Sequence, residues 1–322
     1  MLTRVTSPQL EATWDAMLSA CPRASRRACR QLSAKSGSRL GRLAFEITNP
    51  DRVDLHRRSA ASLPLSTFPT ASELPPKSVF RRPLPDTLAA FSSTEGRKRF
   101  TEAMESGHLE PYFPLSEQFV TQNEPTFCGL GTLTVVMNAL GIDPRRRWRD
   151  ESGPGWRWWA DEMFPYDSNE RPNASQDVLQ CPTLEKIRAE GNTMEGFRLL
   201  AATNGAEVTM HRPADEGEGL ESFRDAIVTA CRMQDDWRNT FFVSSFCRSA
   251  LGQTGGGHFS PVAGYHEPTD SALIMDVARF KYPPYWVPLP QLYEASTKRD
   301  EATGQTRGWF LLSATPDAIL PV

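Results

Sequence analysis

The apolar side chains of this chain recur first at helical spacing and then at strand spacing. The strongest helical pattern covers residues 128–140, where Leu130, Leu133 and Met137 share one face and Gly141 predicts the end of the helix. Helices that precede an antiparallel sheet indicate an α+β fold, with the helix of residues 128–140 packed against the sheet. Shorter helices are predicted at residues 94–106, 182–190, 194–204 and 215–233, and strands at residues 240–246, 260–265, 271–278 and 309–313.

Charge divides the chain into two parts. Residues 1–82 hold 14 Lys and Arg against 6 Asp and Glu, whereas the remaining residues hold 22 against 33. Residues 16–45 contain no acidic residue and are rich in Arg and Ser, a composition typical of an organellar transit peptide. The Pro- and Ser-rich residues 59–85 predict a linker. As the destination of such a peptide, the mitochondrion is favoured over the plastid. The alternative is that the segment is a disordered basic extension of a cytoplasmic protein.

We therefore expect three segments: a basic extension over residues 1–82, a catalytic domain over residues 83–315 and a short tail over residues 316–322. The acidic balance of the catalytic segment argues against nucleic acid as a partner, because nucleic-acid binding needs a basic face. No apolar run approaches the roughly 20 residues of a membrane-spanning helix, so no membrane partner is expected. The six cysteines lack a CxxC pair, which favours reduced thiols over disulfides or a zinc site.

Cys128 is the best candidate for a nucleophile. It follows the turn residues Glu124 and Pro125 and opens the strongest predicted helix. The positive end of a helix dipole lowers the pKa of a thiol and favours the thiolate, which is the form that attacks carbonyl groups.

A base and its orienting group are predicted further along the chain. His258 follows the glycines of residues 255–257, and Asp276 is a lone carboxylate among the apolar residues 271–278. Burial of an unpaired carboxylate is costly, so we expect Asp276 to accept the imidazole N–H of His258, the alternative being an ion pair with Arg279 alone. The order cysteine, histidine, then polar orienter is that of papain-like cysteine enzymes.

The other cysteines and histidines are given structural roles. Cys231 and Cys247 lie in apolar helix and strand patterns and are expected in the core, while Cys21 and Cys29 fall in the predicted extension. The remaining histidines are expected to be surface or extension residues rather than bases: His56, His108, His211 and His266.

Several longer stretches of the chain stand out between residues 82 and 313: residues 90–93, 121–125, 128–131, 137–144, 156–158, 257–261 and 276–284. In sequence and in order they resemble the phytochelatin synthase family. The resemblance implies a papain-like fold, a cysteine thioester intermediate and no organic cofactor.

The resemblance also assigns roles to three residues that bind substrate or stabilise charge. Gln122 is expected to donate its amide to an oxyanion hole together with the main-chain N–H of Cys128, the alternative being an ordinary polar turn residue. Asp300 and Arg307 are expected to hold the ammonium and carboxylate groups of a γ-glutamyl head, because these charges complement a free α-amino acid. The alternative for this pair is a solvated charged turn.

Four further positions match the family less completely. Thr121 and Arg279 belong to a cluster that positions substrate near the active site, and Phe127 stands where many members have tyrosine. Cys181 matches one member of a cysteine pair whose other position holds Gln180, so a metal or regulatory role for Cys181 is a weak expectation.

The resemblance implies that the protein transfers γ-glutamylcysteine from glutathione to a second glutathione or a growing phytochelatin, with release of glycine. Cadmium, zinc and copper ions are expected as activators carried on glutathione thiolates, without a metal site in the protein itself. Glutathione, phytochelatins and metal ions are thus the expected partners, and a homodimer is left open. Residues 165–178 interrupt the resemblance. Two alternatives therefore remain: hydrolysis of glutathione or its S-conjugates, and, more remotely, an inactive thiol- or metal-binding protein.

Overall fold

The computed structural model describes residues 79–148, 156–164, 180–213, 215, 217–232 and 240–318. The predicted transit peptide with Cys21, Cys29 and His56, the insertion at 165–178 and the end of the predicted tail lie outside the described residues. The described helices are α1 (Thr94–Glu105), α2 (Tyr112–Glu117), α3 (Cys128–Ala139), α4 (Leu184–Glu190), α5 (Met194–Thr203), α6 (Leu220–Cys231) and α7 (Leu289–Thr297). The described strands are β1 (Ala89–Ala90), β2 (Ala206–His211), β3 (Phe241–Cys247), β4 (Gly257–His266), β5 (Ser271–Ile274), β6 (Tyr285–Pro288) and β7 (Gly308–Ala314).

The strands form one antiparallel sheet in the order β1-β6-β5-β4-β3-β7-β2. Alternate residues of β3 supply the two faces, as expected for a strand with helices on both sides. Phe241 and Val243 join the core that includes α3 and α5, whereas Phe242 and Phe246 join the core that includes α6 and α7. The predicted α+β class with an antiparallel sheet is confirmed.

Helix α3 is buried on every side along most of its length, from Cys128 to Met137. It packs against β4, and the hydroxyl of Thr132 donates a hydrogen bond of 3.0 Å to the main-chain oxygen of Phe259 in that strand. The predicted packing of this helix on the sheet is therefore confirmed. It fixes the first residue of α3 close to the first residues of β4.

Two strand boundaries differ from the sequence prediction, and both concern the site. Strand β4 begins at Gly257, so His258 lies inside the strand rather than before it. Strand β5 ends at Ile274, so Asp276 lies in the segment after the strand. The reason is local: the Asp276 carboxylate accepts the main-chain N–H of Ala278 at 2.9 Å, and such a short-range bond competes with the strand ladder.

Five described elements were not predicted: β1, α2, β2, β6 and α7. Strand β2 is an edge strand with mixed burial, and it directly follows the turn formed by Asn204 and Gly205. Strand β6 and α7 lie in a proline-rich stretch that resembles a loop, although a proline in the first turn is compatible with a helix. Helix α6 begins at Leu220 rather than at residue 215. None of the described helices is long and apolar enough to cross a membrane.

Candidate active site

Cys128 is the first residue of α3, and Phe127 before it provides no side-chain cap. The first N–H groups of a helix have no partner within the helix, so this end carries positive character. The side chain of Cys128 is 8% exposed and lines a cavity of about 700 Å³. The thiol is thus sheltered from bulk water but open to a bound molecule.

The structure brings His258 to Cys128. Nε2 of His258 lies 3.0 Å from Oδ1 of Asp276 and 3.0 Å from Oγ of Ser260, so Nδ1 is the ring nitrogen left to interact with the Cys128 thiol. Burial acts to raise the pKa of Cys128, but the hydrogen bond and charge of His258, the main-chain N–H of Phe259 and the charge of Arg248 together lower it below its ordinary value of 9.0. A thiolate beside an imidazole is chemically suited to attack carbonyl groups.

Asp276 is completely buried and receives several hydrogen bonds on one oxygen. Its Oδ1 accepts from His258 and, at 2.9 Å, from Nη2 of Arg248. Burial favours the neutral acid, but the charges and hydrogen bonds of His258 and Arg248 outweigh it and hold the pKa of Asp276 well below 3.8. The carboxylate therefore stays ionised at neutral pH and can both orient His258 and stabilise its protonated form.

Arg248 is a site residue that the sequence analysis missed. It is 3% exposed, and its Nη1 donates a 2.6 Å hydrogen bond to Oε1 of Gln253. One feature of the sequence could have indicated this role: Arg248 directly follows an apolar strand, and an arginine buried there needs a carboxylate as its partner. The alternative that Asp276 pairs with Arg279 is wrong, because Arg279 is exposed and lies over the ring of Phe119 at 4.9 Å.

Gln122 is buried, and its main-chain N–H donates to the Val277 oxygen at 3.0 Å, which ties it to the segment that carries Asp276. Its side-chain Nε2 donates to the main-chain oxygens of Glu124 and Pro125 at 2.8 and 3.0 Å, and Oε1 has no partner. In this conformation both amide protons are engaged by the main chain. The oxyanion role of Gln122 stays a prediction.

Asp300 and Arg307 line the same cavity as Cys128. Nη1 of Arg307 lies 3.5 Å from Oδ2 of Asp300, and both side chains are largely buried. Nε of Arg307 is buried without a hydrogen-bond partner. The pair therefore offers one negative and one positive group to a molecule in the cavity, with an unused donor on the guanidinium.

Gly257 leaves room for a side chain of the candidate substrate site. A Cβ atom at this position would overlap the guanidinium group of Arg307, whereas a Cβ at Gly256 would meet nothing within 4 Å. Because Gly257 has no side chain, the guanidinium group of Arg307 can lie against the main chain directly before His258.

None of the three residues of the predicted positioning cluster lines the cavity that contains Cys128. Thr121 and Arg279 are exposed. Phe127 is buried, with the guanidinium of Arg188 5.6 Å from its ring centre. Cys181 does line the cavity, and its sulfur lies 3.5 Å from Oγ1 of Thr203.

The remaining cysteines differ from each other. Cys231 is buried as predicted, and burial raises the pKa of its thiol. Cys247 is only partly buried, so its expected place in the core is wrong: it ends β3, and its sulfur lies 3.1 Å from Oγ of Ser249. Burial acts to raise the pKa of Cys247, but Ser249, the main-chain N–H groups of the following turn and the charge of Arg307 lower it.

Two histidines expected on the surface are buried. Nδ1 of His108 lies 3.0 Å from the Ser106 hydroxyl, and Nε2 accepts from Arg232 at 2.8 Å. Nε2 of His266 lies 2.9 Å from a carboxylate oxygen of Glu102. Both rings are satisfied core residues away from Cys128.

Within the part of the chain that the structure describes, no three His, Cys, Asp or Glu side chains are grouped in a way that could hold a metal ion. The prediction that metal arrives on the substrate stays a prediction. The cavity is lined by the thiol nucleophile Cys128 and by the oppositely charged Asp300 and Arg307, and His258 acts on the thiol from beside the cavity.

Comparisons with known proteins agree with this kind of site. A model of the phytochelatin synthase family matches residues 79–309. The chain is 43% identical over 236 residues to glutathione gamma-glutamylcysteinyltransferase 3 of Lotus japonicus, covering 73% of this chain and 44% of that protein. It is 45% identical over 242 residues to glutathione gamma-glutamylcysteinyltransferase 1 of Triticum aestivum, covering 75% and 44%. It is 41% identical over 236 residues to the glutathione gamma-glutamylcysteinyltransferase of Schizosaccharomyces pombe, covering 73% and 51%.

This chain belongs to the phytochelatin synthase family. It spans about half the length of the curated relatives it matches.

Proposed function

We propose that this protein is a glutathione γ-glutamylcysteinyltransferase that builds phytochelatins. The observation that carries the proposal is that Cys128, whose thiol pKa is lowered by the adjacent His258, opens into the same cavity as Asp300 and Arg307. A nucleophile and a binding site for a free α-amino acid head in one cavity fit a γ-glutamyl peptide. Membership of the family and the names of its curated members support the same substrate.

The first half-reaction forms a thioester. The Cys128 thiolate attacks the carbonyl carbon of the Cys–Gly bond, and the developing oxyanion faces the main-chain N–H of Cys128 at the start of α3. Protonated His258 then gives its proton to the glycine nitrogen as the C–N bond breaks. Glycine leaves, and γ-glutamylcysteine remains bound to sulfur. For Gln122 to assist, its Nε2 must leave the oxygen of Glu124 or Pro125.

The second half-reaction transfers the acyl group. The α-amine of a second glutathione, or of a phytochelatin, attacks the thioester carbonyl and loses a proton to His258. The new amide forms as the C–S bond breaks and returns the thiolate of Cys128. Asp276 holds the imidazole in place through both steps and stabilises its charged form.

The position of the two charged residues explains how the donor is oriented. The γ-glutamyl head carries an ammonium group and a carboxylate at one carbon. Asp300 is complementary to the ammonium group, and the guanidinium of Arg307, with its unused Nε, is complementary to the carboxylate. Binding of the head at this pair places the Cys–Gly bond toward Cys128.

The proposal extends to the fold and to metal ions. A nucleophile at the start of a buried helix and a base on the facing antiparallel sheet support a papain-like fold. Soft ions such as cadmium, zinc and copper bind thiolates tightly, so we propose that they act as thiolate complexes of glutathione, as part of the substrate. The product then chelates the same ions.

The test is direct. Purified protein is incubated with glutathione, with and without cadmium, and the products are identified by mass spectrometry, with the Cys128→Ser variant as control. We expect glycine release together with (γ-Glu-Cys)₂-Gly and longer oligomers, more strongly with cadmium. Free γ-glutamylcysteine and glycine without oligomers would instead identify a hydrolase and contradict the transfer reaction.

A further inference from the structure

Asn192 is a half-buried residue whose amide group is fully buried. Both Oδ1 and Nδ2 are buried, and neither has a hydrogen-bond partner among the described residues. Nearly all buried polar groups in proteins are hydrogen-bonded, because an unsatisfied one loses its bonds to water without replacement. An amide with two unused groups therefore indicates a partner that the protein alone does not supply.

The place of this amide is fixed by its neighbours. Gly191, with a φ of 78°, ends α4, and the hydroxyl of Thr193 caps α5 by accepting from Gly196 N–H at 3.0 Å. Asn192 lies between these two turns and against Gly129, where a Cβ atom would come within 2.5 Å of Asn192 Nδ2. The amide thus packs on the residue directly after the nucleophile, and the residue lines the cavity of Cys128.

Only two of the described residues that line this cavity have buried side-chain atoms without a partner: Arg307, through Nε, and Asn192. Two further polar groups on the same wall are occupied: Thr193 caps α5, and Glu195 pairs with Arg198 at 2.6 Å. Among the described residues of the cavity wall, the buried side-chain atoms that remain without a hydrogen-bond partner are therefore those of Arg307 and Asn192.

We propose that Asn192 binds the amide group that joins the γ-glutamyl and cysteinyl parts of the donor substrate. This inference rests on the proposed function, which places the γ-glutamyl head at Asp300 and Arg307 and the reacting carbonyl at Cys128. The polar group between those two points is one secondary amide with an N–H and a C=O. A carboxamide can meet either group, since it has a donor and an acceptor. Being neutral, it does so without adding charge beside the thiolate.

This role gives Asn192 an unusual signature. An apolar replacement removes a contact with the donor and at the same time removes the unsatisfied amide from the folded protein. Substrate affinity and thermal stability should then change in opposite directions. Asn138 is a matched control, because its amide is satisfied: Nδ2 donates to Trp159 O and Oδ1 accepts from Trp159 N, both at 3.1 Å.

The experiment measures binding in the Cys128→Ser background, which needs no turnover. Calorimetric titration with glutathione and with γ-glutamylcysteine is compared for Asn192→Leu, Asn192→Ala and Asn138→Ala, and Tm is measured for each. We expect Kd for both ligands to rise about tenfold in the two Asn192 variants, with Tm unchanged or higher in Asn192→Leu. In Asn138→Ala we expect a lower Tm and an unchanged Kd.

An unchanged Kd for γ-glutamylcysteine, a loss of affinity confined to glutathione, or a fall of Tm in Asn192→Leu comparable with that of Asn138→Ala would overturn the inference. Failure of the proposed function has a separate outcome, since it would show as absence of glycine release by the wild-type protein.

Discussion

Two buried cysteines in this protein differ in the direction in which their surroundings move the pKa of the thiol. Cys231 lies in the core beside apolar side chains, and burial alone raises its pKa. Cys128 is also buried, but His258, the main-chain N–H of Phe259 and the charge of Arg248 favour its thiolate enough to reverse the effect. At the residue scale, the neighbours of a thiol decide its reactivity more than its exposure does.

The pH dependence of alkylation follows from this difference. Iodoacetamide reacts with the thiolate, so the alkylation midpoint of Cys128 should lie below pH 9, because its pKa is lowered from 9.0. His258→Ala removes the largest of the effects that lower the pKa of Cys128, so the alkylation midpoint of Cys128 should move to higher pH. Cys247 is an internal control, since Ser249 and Arg307 rather than His258 lower its pKa. A pH profile of Cys128, followed by mass spectrometry, that is the same in both proteins would contradict the assignment.

Serine substitution separates the cysteines by role. Cys128→Ser should reduce glycine release by at least about 10³-fold, because loss of a nucleophile removes the covalent route. Cys181→Ser, Cys231→Ser and Cys247→Ser should keep substantial activity, since none of these residues is hydrogen-bonded to the base. Rates are measured as glycine released from glutathione. Normal turnover by Cys128→Ser would exclude the thioester mechanism.

At the scale of elements, the site is held by short connections between segments distant in sequence. The segment before α3 bonds to the segment after β5 through Gln122 N–H and Val277 O at 3.0 Å. The turn after β3 is fixed to that same segment by the buried pair of Arg248 and Asp276. Strand β4 carries His258 between them. The site therefore depends on the relative positions of four segments.

The buried ion pair predicts a stability change. Arg248→Met leaves the charge of Asp276 with one fewer partner, and the loss of one member of a buried pair costs about 3–5 kcal/mol of unfolding free energy. Arg279→Met, at an exposed position, should change it by less than about 1 kcal/mol. Both are measured by urea unfolding at pH 7. Equal effects of the two substitutions would show that the pair contributes nothing specific.

Acid should lower the unfolding free energy of the wild-type protein through protonation of Asp276. The folded pKa of Asp276 is below its ordinary value of 3.8, so the stabilisation is fully present above that value. It is lost as the pH falls below about 4, toward the folded pKa. Asp276→Asn cannot titrate, so its unfolding free energy should fall less steeply over that range. Identical slopes in urea unfolding from pH 5 to pH 3 would argue against the low pKa.

Adjacent glycines provide a test of the substrate pair. Gly257→Ala places a Cβ atom where the Arg307 guanidinium lies, so that group must move, whereas Gly256→Ala meets nothing within 4 Å. We expect KM for glutathione to rise about tenfold or more in Gly257→Ala and to stay unchanged in Gly256→Ala. Arg307→Ala removes the guanidinium group altogether and should therefore give the largest loss of binding free energy for glutathione, about 2–3 kcal/mol. A KM that rises equally in both glycine variants would indicate strand disruption instead.

At the scale of the whole molecule, the sequence predicts those helices and strands that the spacing of nearby apolar residues determines. The period of Leu130, Leu133 and Met137 predicted α3 and its place against the sheet. The partnership of Asp276 with Arg248 could not be predicted, because residues 28 positions apart meet only when the turn after β3 reaches the segment after β5. The unsatisfied amide of Asn192 could not be predicted either, because it results from packing of the segment between α4 and α5 against Gly129 of α3.

Within residues 1–82, the part that precedes residue 79 is expected to be dispensable for the chemistry but not for the location of the protein. The family match begins at residue 79, and Arg82 N–H donates to Lys281 O at 3.0 Å, so the fragment to test is 79–322. It contains every proposed catalytic and substrate-binding residue, and its rate of glycine release should equal that of the full chain.

The full chain with a fluorescent tag should reach an organelle, the mitochondrion before the plastid, because residues 16–45 are basic and free of acidic side chains. The tagged fragment 79–322 should remain in the cytosol. A full-length variant with glutamine in place of Arg23, Arg26, Arg27 and Arg30 is the matched control, since it keeps the length while removing four positive charges, and it too should remain in the cytosol. The same cytosolic distribution for the unmodified full chain and the fragment would refute the transit peptide.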